Sequence, residues 1–580
     1  MGYTPFEAAA EAKSKVEQEG RSFVIRQPSS VGSELLRGAA VLGAAAMISK
    51  LIGTLQKIPL QNVAGDGVYG IYSAVYPLYV LILFLATAGF PVAVSKFVSE
   101  RAAIGDHRGA GRVAAVSALI LGFTGLFFFL LLYIGADRLA GWIGVSQTEK
   151  AIRSVSFALL LAPFMAVLRG YFQGYHQMVP TAMSQIAEQV VRVATMILLL
   201  IVLVSSGASA DWIAAGAAFG SVTGAAAGLL VMAAYWLRMR NRRKWGIAGR
   251  DEPQAVFEEN SLQLAKRIAA YAIPICLGAI VTPILTIVDA LTIPRILQGS
   301  GWSEMETMRQ FGLYNRGLPL VQLVAMIASS MSAALVPAIA EARIRGDRLL
   351  IRRRTELSFR LTWMIGLAAS CGLAFTTVPI NIMLYKTNEG GWTMAILAFT
   401  TVFSALNIVA GSVLQGVGEV RAPAFNLFIA AVLKTIGNVC LVPRWGIEGA
   451  ALSAVFAFAV AAGLNLVQAV RCTGARFALR RYAAWPTLAV GLMGGCLAAL
   501  QLAGARAVPA WLPGHERWAY SAIALTCVAG GAAVYAGVLL RTGVIGRGDL
   551  ALLPSLDRKL TPLLLRMKLI PKRDEEEAQH

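Results

Sequence analysis

The sequence predicts an all-α polytopic membrane protein of about fourteen transmembrane helices, built as two parallel six-helix repeats followed by a C-terminal helix pair. Three observations carry the prediction. Of the 580 residues, 57% are hydrophobic and only 14% charged, whereas soluble domains carry nearer a quarter charged residues. Apolar runs of about 20 residues, the span of a membrane helix, recur along the whole length; a β-barrel would show short alternating segments instead. The chain also repeats itself. Residues 69–106 (YGIYSAVYPLYVLILFLATAGFPVAVSKFVSERAAIGD) match residues 311–347 (FGLYNRGLPLVQLVAMIASSMSAALVPAIAEARIRGD) with a single one-residue gap. Tyr69-Gly70-Ile71-Tyr72 answers to Phe311-Gly312-Leu313-Tyr314, Pro77 to Pro319, Glu100 to Glu341, and Gly105-Asp106 to Gly346-Asp347.

Taken in order, residues 1–34 read as a cytoplasmic tail, polar and without the apolar stretch of a cleavable signal. The first lobe, 35–240, holds spans at about 35–60, 69–97, 111–134, 151–172, 180–205 and 211–237. A basic linker, 241–262, leads to the second lobe, 263–472, with spans at about 264–292, 311–340, 357–384, 392–416, 423–442 and 447–470. Residues 473–540 supply two more, at about 483–504 and 517–540, and 541–580 form a basic tail suited to the inner membrane surface.

A second echo extends the duplication: Gln173-Gly174 and Pro180 match Gln415-Gly416 and Pro423, and Arg192 falls opposite Lys434. Six helices per copy give both copies the same orientation, so their symmetry axis runs along the membrane normal. Two such bundles facing each other enclose a cleft and suit a transporter that alternates between two open sides.

Lys and Arg set the expected topology. They crowd the loops at 96–112, 238–267, 341–360 and 471–481, and are scarce at 61–68, 206–211, 385–391 and 443–447, which places both termini in the cytoplasm. The formal net charge of +20 is read as this partition, with anionic membrane lipids as secondary partners and no nucleic-acid partner. The six cysteines form no CxxC pair and the four histidines no ligand cluster, so the cysteines read as packing residues.

No catalytic constellation is visible, and the absence of a phosphate-binding loop removes nucleotide hydrolysis as a driving force. The candidates are ionisable residues inside spans, which are costly to bury and therefore functional by default. Lys50 and Lys57 lie two turns apart on one face of the first span, a cationic stripe suited to a diphosphate; Lys57 also lies close enough to the interface to snorkel. Arg316 sits just inside the eighth, beside Gly317 and Pro319, which loosen the helix. Asp289 and Arg295 lie near one end of the seventh, paired with each other or with Lys50. Glu188 and Arg192 form an i,i+4 pair in the fifth, structural or functional. Lys434, the echo of Arg192, has no local acid.

The stretches ISKLIGTLQKIPLQNVAGDGVYGIY, FPVAVSKFVSE, LRGYFQG, PTAMSQIAEQVVR and YNRGLPLVQ resemble the SpoVB/MurJ-type branch of the multidrug/oligosaccharidyl-lipid/polysaccharide exporter superfamily over roughly residues 35–540. The resemblance implies a fourteen-helix flippase of the bacterial cytoplasmic membrane that moves undecaprenyl-diphosphate-linked saccharides, such as the cell-wall precursor lipid II, to the outer leaflet. No cofactor is expected beyond a coupling ion of unknown identity, and a monomer is expected. The family's cavity arginines in the first and eighth helices fall on Lys50 and Arg316; lysine keeps the charge but loses the bidentate fork. The lipid II flippases' further arginine in the second helix falls near Leu81 and is absent. The alternatives are a drug/cation antiporter of the same superfamily, which would have twelve helices and acidic cavity residues, and a membrane polysaccharide polymerase or ligase, which would need a large outer loop bearing acids or histidines.

Overall fold

A computed structural model describes residues 29–244, 260–279, 283–476, 479–511, 516–542 and 544. The expected tails and most of the linker lie outside them. Every regular element in the described residues is helical. In the first lobe these are α1 (Ser29–Leu55), α2 (Lys57–Thr87), α3 (Phe90–Ala103), α4 (His107–Ile134), α5 (Ala136–Ile143), α6 (Glu149–Ser156), α7 (Ala158–Gly174), α8 (Met178–Ser205) and α9 (Ala210–Lys244). The second has α10 (Ser261–Ala279), α11 (Ile284–Gly299), α12 (Glu304–Asn315), α13 (Leu318–Ile344), α14 (Arg348–Phe375), α15 (Thr377–Tyr385), α16 (Gly391–Ala398), α17 (Thr400–Gly416) and α18 (Arg421–Thr473), and α19 (Leu479–Trp511) and α20 (Glu516–Arg541) follow.

Eleven helical runs among the described residues are long and apolar enough to cross a membrane. Two of them fold back on themselves. α18 breaks at Gly446, whose φ of 57° suits glycine; beyond it Asn465 pairs with Asn426 (2.8 Å) and Ser453 donates to the Lys434 carbonyl (2.9 Å). These contacts are centred on Gly446 and mark an antiparallel hairpin. α2 breaks likewise at Gly65, φ 80°, with Gln56 donating to Tyr72 across the turn (3.4 Å). The expected seventh span is shared between the lobes. Leu264, Ile268, Ala272 and Cys276 of α10 join Phe90, Val94 and Tyr171 in one buried cluster, whereas Leu285 of α11 packs with Ala430, Ala457 and Ala461. The two helices of this span thus contribute these residues to separate buried clusters. α19 and α20 pack on α14 through Met364, Met493, Leu497 and Cys527. On α4, Leu119, Phe123, Phe127, Leu130 and Ile134 are exposed at three- and four-residue spacing, an apolar face suited to lipid.

The duplication has a physical reason at each repeated residue. Asp106 and Asp347 are N-caps, accepting from the Gly109 N–H (2.7 Å) and the Leu350 N–H (2.9 Å), and Gly105 and Gly346 before them adopt positive φ. Gly174 and Gly416 let α7 and α17 approach closely: a Cβ on the first would stand 2.7 Å from Val98 Cβ, and on the second 2.8 Å from Ile339 Cβ. Val98 and Ile339 are themselves equivalent in the repeat. The same helix pair is thus packed in the same way in both lobes.

Candidate functional site

The aromatic-Gly-apolar-Tyr motif lies where the lobes meet. A Cβ on Gly70 would overlap the Met308 carbonyl, and a Cβ on Gly312 the Asp66 carbonyl. Gly70 and Gly312 are repeat equivalents, and by the same offset so are Asp66 and Met308. Two copies of one motif therefore cross about the pseudo-twofold axis with backbone against backbone, an approach only glycine permits. Tyr69 anchors the crossing by donating to the Asn315 carbonyl (3.0 Å).

Beside this seam the Arg316 guanidinium grips Asp66 of the other lobe with both faces of its fork, Nε to Oδ1 at 2.7 Å and Nη2 to Oδ2 at 2.6 Å. The break between α12 and α13, which Gly317 and Pro319 favour, places Arg316 there. Its Nη1 donates to Thr387 Oγ1 (3.0 Å) and the Glu389 carbonyl (3.1 Å), its carbonyl accepts from Tyr385 (2.8 Å), and the Tyr385 ring lies 5.1 Å from the guanidinium. Arg316 is 1% exposed and its donors are engaged, so the pair is a closed, charge-assisted bridge. Nearby, Asn62 donates to the Leu384 carbonyl (2.6 Å) and accepts from Lys386 (3.2 Å) through its own carbonyl. Ser146 donates to Glu304 (2.8 Å). Among the described residues, the hydrogen bonds joining α1–α9 to α11–α18 all lie between mid-bundle and this end, the end away from the basic loops.

Lys50 takes no part in that closure. It is exposed, and its ammonium has no hydrogen bond or ion pair among the described residues. One stripe of α1 carries Met47, Lys50 and Thr54. Met47 and Thr54 reach Ser330 and Gln322 of α13 (both 3.5 Å), so Lys50 sits on the face turned to the second lobe. Lys57 is half-buried and likewise unpaired among the described residues.

The remaining candidates separate into one cluster per lobe. In the second lobe Lys434 and Asp289 form a buried pair (2.6 Å). Lys434 also donates to the Leu285 carbonyl (3.1 Å), and Asp289 accepts from Tyr314 (2.9 Å) and Asn438 (3.4 Å). The acid that Lys434 lacks locally comes from α11, and Asp289 pairs with neither Arg295 nor Lys50. Arg295 is exposed and packs by its backbone near Gly144; six residues from Asp289, it faces another side of the helix. In the first lobe Glu188 bridges two arginines, Arg192 (2.6 Å) and Arg169 (2.9 Å). Arg169 also reaches Ser184 (2.9 Å).

Sequence reasoning passed over Asp66 and Arg169. Asp66 carried a signal: it is the one acid of the 61–68 loop, set between Gly65 and Gly67. Its partner lies 250 residues away, beyond any local pattern.

The family model for polysaccharide biosynthesis proteins matches residues 35–343. The membrane protein YabM of Bacillus subtilis (strain 168) is 33% identical over 527 residues, covering 89% of this chain and 94% of that one. The lipid II flippase MurJ of the same organism is 27% identical over 450 residues, covering 74% and 81%. Among solved structures, a lipid II flippase MurJ in an inward closed conformation superposes with a TM-score of 0.63 at 13% identity, covering 88% of this chain and all of that one. At that identity the match speaks to the fold.

Proposed function

The chain belongs to the polysaccharide biosynthesis protein family, and from that premise we propose that it is a flippase. It carries a polyprenyl-diphosphate-linked saccharide from the inner to the outer leaflet of a bacterial plasma membrane by alternating access. The observation that carries this reading is the Asp66–Arg316 bridge with its glycine seam: two copies of one scaffold are latched together at the end away from the basic loops. By the distribution of Lys and Arg the latched end is external and the termini are cytoplasmic. An anion can reach the Arg316 guanidinium only by displacing Asp66, so Arg316 acts as the latch of the external gate, and the exposed Lys50 offers a free cation inside the cleft. The polyprenyl tail stays in the bilayer. The membrane potential or an ion gradient drives the cycle.

A drug/cation antiporter would present free acids to its cargo. Here Glu188 and Asp289 are each held by cations, which disfavours that reading. The test is Lys50→Ala in cells, with lipid-linked saccharide assayed in the outer leaflet. A several-fold loss is expected; unchanged translocation would remove Lys50 from the path.

A further inference from the structure

The mid-span charges are not shared equally between the lobes. In the second lobe Lys434 is neutralised by Asp289 and Arg316 by Asp66. In the first lobe Lys50, Lys57, Arg169 and Arg192 lie within spans; Glu188 serves both arginines, and Asp66 is taken by Arg316 of the other lobe. Surplus positive charge inside a membrane is expensive unless an anion visits it.

Arg192 is where that surplus is deepest. It is 9% exposed, and one amino group pairs with Glu188 (2.6 Å). The other touches only the Tyr76 hydroxyl, at a long 3.5 Å. Its Nε is buried with no partner. A guanidinium normally fills its fork when buried; this one keeps donors free although Gly220 and Gly224 bring α9 tightly against its backbone. The polar groups around it are loosely bonded as well: Gln56 to Tyr72 at 3.4 Å and Gln189 to Gln56 at 3.5 Å. Tyr72 stacks on Tyr76, ring centroids 5.5 Å apart. Open donors on a buried cation are places where an anionic ligand can be accepted.

Lys50 is close by. A Cβ on Gly38 would meet Met178, and one on Gly53 would meet Gln189, so α1 and α8 run parallel in a fixed register. Lys50 lies one turn to one side of that contact and Arg192 one turn to the other, an axial separation of about 9 Å. A diphosphate and its first sugar can bridge that distance.

We propose that the diphosphate of the lipid-linked substrate binds to the first lobe, its phosphate oxygens taking the free Nε and Nη1 donors of Arg192 as Tyr76 swings aside, with Lys50 at the mouth. Glu188 is then a built-in competitor that holds Arg192 when the site is empty. This rests on the flippase reading and assigns its anion to one lobe.

The test uses the full chain purified into lipid nanodiscs, with farnesyl diphosphate and inorganic pyrophosphate as probes. Arg192→Gln weakens farnesyl diphosphate at least about tenfold, the usual cost of losing one partner of a buried charged contact. Glu188→Gln tightens it, because the competing carboxylate is gone; a purely structural triad would not show that sign. Tyr76→Phe, which removes one hydroxyl, is the fallback should Arg192→Gln fail to fold, and it too shifts affinity. Farnesyl diphosphate binds more tightly than pyrophosphate; the reverse order overturns assignment to a lipid substrate. A folded Arg192→Gln protein of unchanged affinity, or weaker binding in Glu188→Gln, overturns the site while the flippase reading stands if wild type still translocates. Wild type that binds neither probe and translocates nothing overturns both.

Discussion

With the latched end external, as proposed, replacing Gly312 by alanine should unlatch the gate. The new methyl would stand 2.8 Å from the Asp66 carbonyl carbon, and closer still to its oxygen. Carbon atoms settle at about 3.5–4.0 Å, so α12 must retreat from α2 by roughly 1 Å. The obstacle is backbone, which has no rotamer to escape into. A retreat of that size stretches the 2.6 and 2.7 Å contacts of Arg316 with Asp66 past the roughly 3.2 Å limit of a good hydrogen bond. Overpacking of this kind costs about 1–3 kcal/mol. The open form has no such contact to lose, so the closed population falls roughly five- to 150-fold relative to it. The assay is labelling of Asn62→Cys, next to the latch, by a membrane-impermeant maleimide added from outside, in a background without the native cysteines. Labelling at least about fivefold faster with Gly312→Ala is expected. Equal rates in a folded variant would refute the claim that this glycine contact holds the gate.

Two further changes separate latch from scaffold. Arg316→Lys keeps the charge but not the fork, so it should raise Asn62→Cys labelling with little change in thermal stability. Lys434→Met should instead cost about 3–5 kcal/mol of stability by leaving Asp289 buried without its cation, and Lys434→Met with Asp289→Leu should recover most of that loss; thermal unfolding in detergent reads both.

Much of the scaffold was legible because membrane helices must satisfy their backbone internally. Apolar runs therefore marked the helices, and the repeated Gly-Asp exit marked a cap used twice. The bend at Gly317 and Pro319 was legible for the same reason. What the sequence concealed were partnerships. Arg316 was visible as a buried cation, but its partner Asp66 lies in the other lobe. Lys434 seemed unpaired because its acid is on α11, reached only once the helices pack. The Asp289–Arg295 pairing could have been rejected beforehand, since residues six apart on a helix face different sides. The two halves were expected to supply one cation each to a shared anion, Lys50 from the first span and Arg316 from the eighth. Folding instead neutralises Arg316 and Lys434 of the second half and leaves Lys50 of the first without an ion pair among the described residues.

The most direct measurement of the central claim is translocation itself. The chain would be reconstituted into vesicles with a fluorescent polyprenyl-diphosphate saccharide, and the flipped fraction read with an impermeant quencher. Translocation above protein-free vesicles is expected. It should stop when a short bifunctional thiol reagent ties Asn62→Cys to Lys386→Cys across the gate. Translocation no faster than in protein-free vesicles, or undiminished with the gate tied shut, would contradict the account.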